Sequence, residues 1–202
     1  MRKIFFLVIS LAFNTVLFAQ TNNRSDSSAQ PQTVKQLTLT KAEGALMLST
    51  NDVVTNISRS PELSEFYKAI QNAGLEETFT SQGPITVFAP GNQAFNLLSK
   101  GKRDTLRRAD QKYKLIALLT YHALPGAVTT KDIAHAIAEN KGVAIFITLS
   151  GNKISARLDA NRNIVLIDDN GGQSIINKFD VPQSNGLIHF INAVLVPKFK
   201  TI

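Results

Sequence analysis

The apolar residues of this chain change their period once, at Gly142, and that change limits the fold more than anything else in the sequence. Before it, apolar positions recur every three or four residues, the spacing of helices with one buried stripe; after it, short apolar runs alternate with turn residues, the spacing of strands. Helices first and strands later predict an α+β class with a mostly antiparallel sheet, because strands joined by short turns pair antiparallel. No internal repeat interrupts the pattern.

The helical half is punctuated clearly. Ser60-Pro61 is expected to open a helix, Ser60 as cap and Pro61 at the first position. Leu63, Phe66, Tyr67 and Ile70 form its stripe, and Gly74 ends it in a left-handed conformation. Ile85 to Ala89 is a short buried strand broken by Pro90-Gly91-Asn92. Ala94, Phe95 and Leu98 then point inward from a second helix. A third spans about Asp110 to Tyr121, with Leu115, Leu118 and Leu119 on one face, and Thr130 is expected to cap a fourth through Glu139. In the second half, strands are predicted at Val143 to Leu149, Lys153 to Leu158, Ile164 to Ile167 and Gly186 to Val196. Ser150-Gly151-Asn152, Asp159 to Asn163 and Asp169 to Gly172 supply the turns.

Residues 1–19 are set apart from the fold. Arg2 and Lys3 precede an apolar run from Ile4, and Leu17-Phe18-Ala19 ends it before Gln20. This is the layout of a secretory signal, and the run is shorter than the roughly 20 apolar residues of a membrane span. Residues 20–43, rich in Asn, Ser, Gln, Thr and Pro at their start, are expected to form a flexible linker, and 44–199 a single domain. The chain has no cysteine. Disulfides, a lipid anchor at the cleavage site, Cys-ligated metals and Cys nucleophiles are therefore excluded, and the domain must be held by its core alone. At 44% apolar content it can do so, since a domain of this size buries roughly two-thirds of its surface.

Three segments carry a resemblance. Thr86-Val-Phe-Ala-Pro-Gly-Asn-Gln-Ala-Phe95 is a strand, a breaker and the anchor of a new helix. Leu118 to Gly126 contains Tyr121-His122. Ser184 to Pro197 is a turn, Asn185-Gly186, that delivers the chain into an apolar strand with His189 and Asn192. In this order and spacing they resemble the fasciclin family, and the opening from Gly44 to Asn56 is similar to exported single-domain bacterial members. The sequence departs from the family pattern at Gly91, commonly Thr or Ser, and at Asn192, often Asp. The resemblance implies a fasciclin-like fold, helices packed on a mostly antiparallel sheet arranged as a wedge or sandwich. It also implies a role in cell adhesion or matrix interaction, periplasmic or extracellular, with soluble small-ligand or polysaccharide binding as the alternative. Around Tyr121-His122 it proposes a binding motif. Pro90, Phe95, Asn185, Gly186 and His189 are its structural residues.

Residue chemistry weighs against that motif as a contact. His122 continues the stripe of Leu115, Leu118 and Leu119, and His189 lies between Ile188 and Phe190, so each is expected to be buried and hydrogen-bonded. Three scattered histidines give no metal spacing, and no cofactor is expected. Asp168-Asp169-Asn170-Gly171 lacks the spacing and closing Glu of a calcium loop and is expected to be a turn. Asn56-Ile57-Ser58 satisfies a glycosylation sequon. There is no G-x-S-x-G elbow, phosphate loop or dinucleotide fingerprint, and an enzyme is not expected.

One stretch is strongly charged. Lys100, Lys102, Arg103, Arg107, Arg108, Lys112 and Lys114 are opposed only by Asp104 and Asp110. That local excess equals the excess of the whole chain once Arg2 and Lys3 leave with the signal. It is either a solvated helix face or a docking surface. The partners expected are a protein or an anionic glycan at the cell surface or matrix, with weak contact to a membrane surface. Nucleic acid is not expected as a partner of an exported chain, and a monomer is expected.

Overall fold

A computed structural model describes residues 39–42, 45–81 and 83–199. The expected signal segment and most of the expected linker lie outside these residues. Regular backbone begins with a hairpin, β1 (Leu39–Ala42) and β2 (Ala45–Leu48), paired antiparallel. Its first strand falls inside the stretch expected to be linker, because the Leu-Thr alternation there is already strand-like.

Helices α1 (Val53–Ser58), α2 (Ser64–Ala73) and α3 (Glu76–Ser81) follow. Phe66, Ile70 and Ala73 are the buried stripe of α2, and Gly74 caps it at φ 70° and ψ 35°. The start of α2 differs from expectation. Ser60-Pro61 opens only a 3₁₀ turn, Pro61–Leu63, and Ser60 makes no capping bond. The free amide of Glu65 is instead met by Oδ1 of Asn92, 3.0 Å away and 27 residues later. The sequon lies on α1, and its Asn56 is buried. The Asn56 amide donates to Leu48 O (2.8 Å) and to Gln183 Oε1, so it is consumed by the fold.

Strand β3 (Ile85–Pro90) is buried throughout. After it come α4 (Asn92–Asn96), α5 (Lys100–Arg107), α6 (Lys112–Tyr121), β4 (Ala123–Pro125) and α7 (Thr130–Glu139). The cap of α7 is Thr129, which accepts from Asp132 N–H while the Asp132 carboxylate accepts from Thr129. Thr130, expected in that role, bonds to Asp180 instead.

Strands β5 (Val143–Ile147), β6 (Lys153–Leu158), β7 (Ile164–Ile167), β8 (Gln173–Gln183) and β9 (Gly186–Ile191) complete a sheet ordered β4-β3-β9-β8-β7-β6-β5. All its pairings are antiparallel except β3 with β9. It is one hydrogen-bonded order rather than two separate sheets. The long strand β8 changes partners along its length, pairing with β7 through Gln173–Ile175 and with β9 from Ile176 onward.

Beta strands β3 and β9 face two cores. Val87, Ala89, Ile188 and Phe190 pack with α1, α2, α4 and α6. Phe88 and Ile191 point the other way, toward Ile133 and Ile137 of α7 and the inner residues of β5–β8. A strand covered on both faces has no solvent side to advertise, which is why both read as unbroken apolar runs. Gly186 is fixed by crowding where they start: a Cβ there would lie 1.8 Å from Ile85 O.

Candidate functional site

Helix α6 ends in the pair singled out from the sequence. Tyr121 is its last residue and His122 its cap, and both side chains are wholly buried. The Tyr121 hydroxyl donates to Lys153 O (2.7 Å) and accepts from Asp169 N–H (3.1 Å). Burial, and then the nearby Asp169 carboxylate, push its phenol pKa up. His122 Nδ1–H donates to Leu118 O (2.8 Å), and its Nε2 accepts from Leu195 N–H (3.1 Å). One nitrogen donates and the other accepts, so the ring is neutral with its proton on Nδ1. Burial lowers its pKa to about 4.

These bonds explain why β9 stops at Ile191 rather than running to Val196. Beyond it, Asn192 N–H still donates to Ile175 O (3.2 Å) while its Oδ1 accepts from Ile175 N–H (2.8 Å), and the following amides are taken by side chains: Ala193 N–H donates to Ser174 Oγ (2.9 Å), Leu195 N–H to His122, and Val196 N–H to Asp168 Oδ2 (2.9 Å). Asp168 Oδ1 also accepts from Asn170 N–H (2.9 Å) and Gly172 N–H (2.7 Å). The Asp-rich stretch is thus a turn whose carboxylate organises backbone. Among the described residues, no group of three or more His, Asp or Glu is placed to hold a metal ion. Asp168 is the residue that sequence reasoning undervalued: its partner Val196 is 28 positions away, and a carboxylate that serves backbone amides leaves no side-chain motif.

The other structural residues act in the same way. His189 is buried and stacks on Phe88 with ring centroids 5.6 Å apart. Its Nδ1 accepts from Asp180 N–H (3.1 Å), and Nε2–H donates to Val128 O (2.9 Å). Burial depresses its pKa too. Asn185 Oδ1 accepts from Val53 N–H (2.9 Å) and its amide donates to Phe79 O (2.8 Å), joining α1, α3 and the turn before β9. Pro90 is the buried last residue of β3, and Phe95 is buried against the ring of Phe66, 6.5 Å away.

The basic residues lie at the surface around α5 and the start of α6. Lys100, Lys102, Arg108 and Lys112 are exposed and Arg103 is half-buried. Arg103 Nη1 donates to Asn96 O (3.1 Å). Arg108 pairs with Asp110 through two bonds of 2.9 and 2.8 Å, which holds the exposed Asp110 carboxyl down at about 2. The side chain of Arg107 lies outside what the structure describes. Two open clefts border this face. One of about 550 Å³ is lined by Lys68, Asn92, Phe95 and Arg103 among others. The second, about 240 Å³, has Leu106, Leu118, Val196 and Phe199 with Lys102 and Lys114. The exposed His135 of α7 only approaches Glu139 (3.3 Å). No helix among the described residues is long and apolar enough to cross a membrane.

The chain is similar to protein sll1483 of Synechocystis sp., 31% identical over 135 residues that cover 66% of this chain and 67% of that protein. Human periostin is 33% identical over 141 residues, covering 70% of this chain but only 15% of periostin. In fold it resembles a FAS1 domain pair from the insect cell adhesion molecule fasciclin I, with a TM-score of 0.64 at 20% identity, covering 78% of this chain and 57% of that one. At that identity the likeness shows the fold alone. The sequence model of the fasciclin domain matches residues 61–197, from the 3₁₀ turn before α2 to the segment clamped by His122 and Asp168, and the chain belongs to the fasciclin domain family.

Proposed function

We propose that this chain is a non-catalytic binding module that acts outside the cytoplasm in adhesion or surface interaction, through the basic face of α5 and α6 rather than through Tyr121-His122. The observation that carries the reading is the contrast in exposure. Tyr121 and His122 are wholly buried with their polar atoms bonded inside the protein, whereas Lys100, Lys102 and Lys112 extend into solvent. A buried residue cannot touch a partner without unfolding its surroundings. An exposed run of cations attracts an anionic polymer over a distance set by salt. Membership of the fasciclin domain family, matched over residues 61–197, supports the class of activity.

The test is retention on immobilised dextran sulfate. The full chain should be held at 0.01 M salt and released by 0.15 M, as the Debye length falls from about 30 Å to about 8 Å. The triple variant Arg103→Glu, Arg107→Glu, Arg108→Glu should pass through unretained. Equal retention of the two proteins would reduce the basic face to a solvated helix surface.

A further inference from the structure

A third cleft, of about 340 Å³, opens between α7 and the strands β6, β7 and β8. Leu158, Ile164 and Ile176 give it an apolar lining, and Lys131, Arg162 and Phe179 stand beside them. Phe179 is the unusual member, a phenylalanine 57% exposed within a long strand. It is exposed because β8 is irregular there: the register with β9 slips between Ile176 and Lys178 and again between Lys178 and Val181. A bulge of this kind re-aims a side chain, and bulges gather beside functional sites.

The irregularity is held firmly. Asp180 has φ 56°, a conformation uncommon outside glycine. Its amide donates to His189 Nδ1 (3.1 Å), and its carboxylate accepts from the Thr130 N–H (2.8 Å) and hydroxyl (2.5 Å). Arg162 is held comparably at φ 64°, in a turn where Asp159 Oδ1 accepts from the amides of Asn161 and Asn163, each at 2.8 Å. Among the described residues three non-glycine residues have positive φ, and two of them fix the positions of Phe179 and Arg162 at this one cleft. Strained backbone that persists because its surroundings over-determine it concentrates at ligand clamps.

The chemistry of the lining selects the ligand. Lys131 and Arg162 are exposed, and among the described residues neither forms an ion pair. Asp132, beside Lys131, is committed to the cap of α7. Two exposed cations beside an aromatic face suit a molecule with a carboxylate and an apolar side. Strands β6 and β7 are paired on both edges, so an extended peptide cannot add to the sheet there and the ligand must be held by side chains. We propose that this cleft binds a carboxylated pyranose, the uronate unit of an acidic polysaccharide, with the C–H face of the sugar on Phe179 and its carboxylate between Lys131 and Arg162. The inference rests on the binding-module reading only in taking the chain to bind rather than to catalyse, and it shares no residue with the basic face.

The experiment is calorimetric titration of the full chain with a galacturonate trisaccharide, its methyl ester and a tripeptide of glutamate. The free acid should bind saturably. Phe179→Ala, Lys131→Gln and Arg162→Asn should each weaken it roughly tenfold with unchanged melting, since Phe179 is exposed and Asn tolerates the backbone of Arg162. The basic-face triple variant should bind the trisaccharide as the wild type does, so loss of one site leaves the other measurable. Absence of saturable binding by the wild type overturns the proposal. So does undiminished binding by Phe179→Ala, equal affinity for the methyl ester, or equal affinity for the acidic tripeptide.

Discussion

Tyr121-His122 and the Lys100–Lys114 segment are neighbours in sequence and opposites in structure. At the first, both side chains are buried and their hydroxyl and ring nitrogens are engaged with backbone. At the second, cations face water, and in the Arg108–Asp110 contact charge is answered by charge at the surface. The difference teaches that a recognisable pair of polar residues and a contact surface are separate things. The conspicuous motif holds the fold closed, and the solvent-facing charge lies on the surface beside it.

The contrast breaks most readily at His122. His122→Ala should lower stability by roughly 3–5 kcal/mol, from a cavity together with an orphaned Leu118 carbonyl and Leu195 amide. Chemical denaturation measures this, and binding per folded molecule should not change. A variant that melts normally but loses retention would make His122 a contact residue after all.

Acid should act on the same residue. Folded His122 stays neutral down to about 4, whereas in the unfolded chain it protonates near 6.5. Between those values only the unfolded state takes up the proton. Stability is therefore complete above the upper value and falls as pH drops toward the lower one, by about 3 kcal/mol. His189 shifts in the same direction and adds to the loss. Melting temperature followed from pH 7 to 4 should fall, and fall less steeply in His122→Gln. A flat profile in the wild type would contradict the neutral, buried ring.

Tyr121→Phe comes next. It keeps the ring and removes only the hydroxyl that joins Lys153 to Asp169, so a loss of roughly 1–3 kcal/mol is expected. Smallest is the charge-reversed basic face, where each substitution should change stability by under about 1 kcal/mol while retention on dextran sulfate disappears. A large drop in melting for that variant would erase the distinction between the two regions.

Much of the first half could be read in advance because its elements obey one period. Phe66 and Ile70 declare α2, and Gly74 its end. Strand β8 could not be read: Asn177, Lys178, Asp180 and Pro182 break alternation, and the register shifts that accommodate them are set by β9 and by Thr130, not by local propensity. Ser60 reads as the cap of α2 although Asn92 supplies that bond, for a similar reason: the capping oxygen comes from another helix. At the site, His122 was legible as an interior residue from its stripe. Its partner at Leu195 was not, because a bond to backbone leaves no trace in side-chain identity. The basic segment was visible as charge alone, and the pattern says nothing about Arg103 turning to Asn96 or Arg108 to Asp110.

The position of β9 has a consequence for how the protein is made. It is the last strand of this sheet in sequence, yet it sits between β3 and β8 near the middle of the sheet. As the chain emerges, β3 and β8 each lack a neighbour until residues 186–191 appear, and the amides of Ala193, Leu195 and Val196 reach their side-chain partners later still. The domain therefore closes only once residues 186–196 have emerged, and a chain that still lacks them presents two bare strand edges, the surfaces on which partly made β proteins aggregate or recruit chaperones.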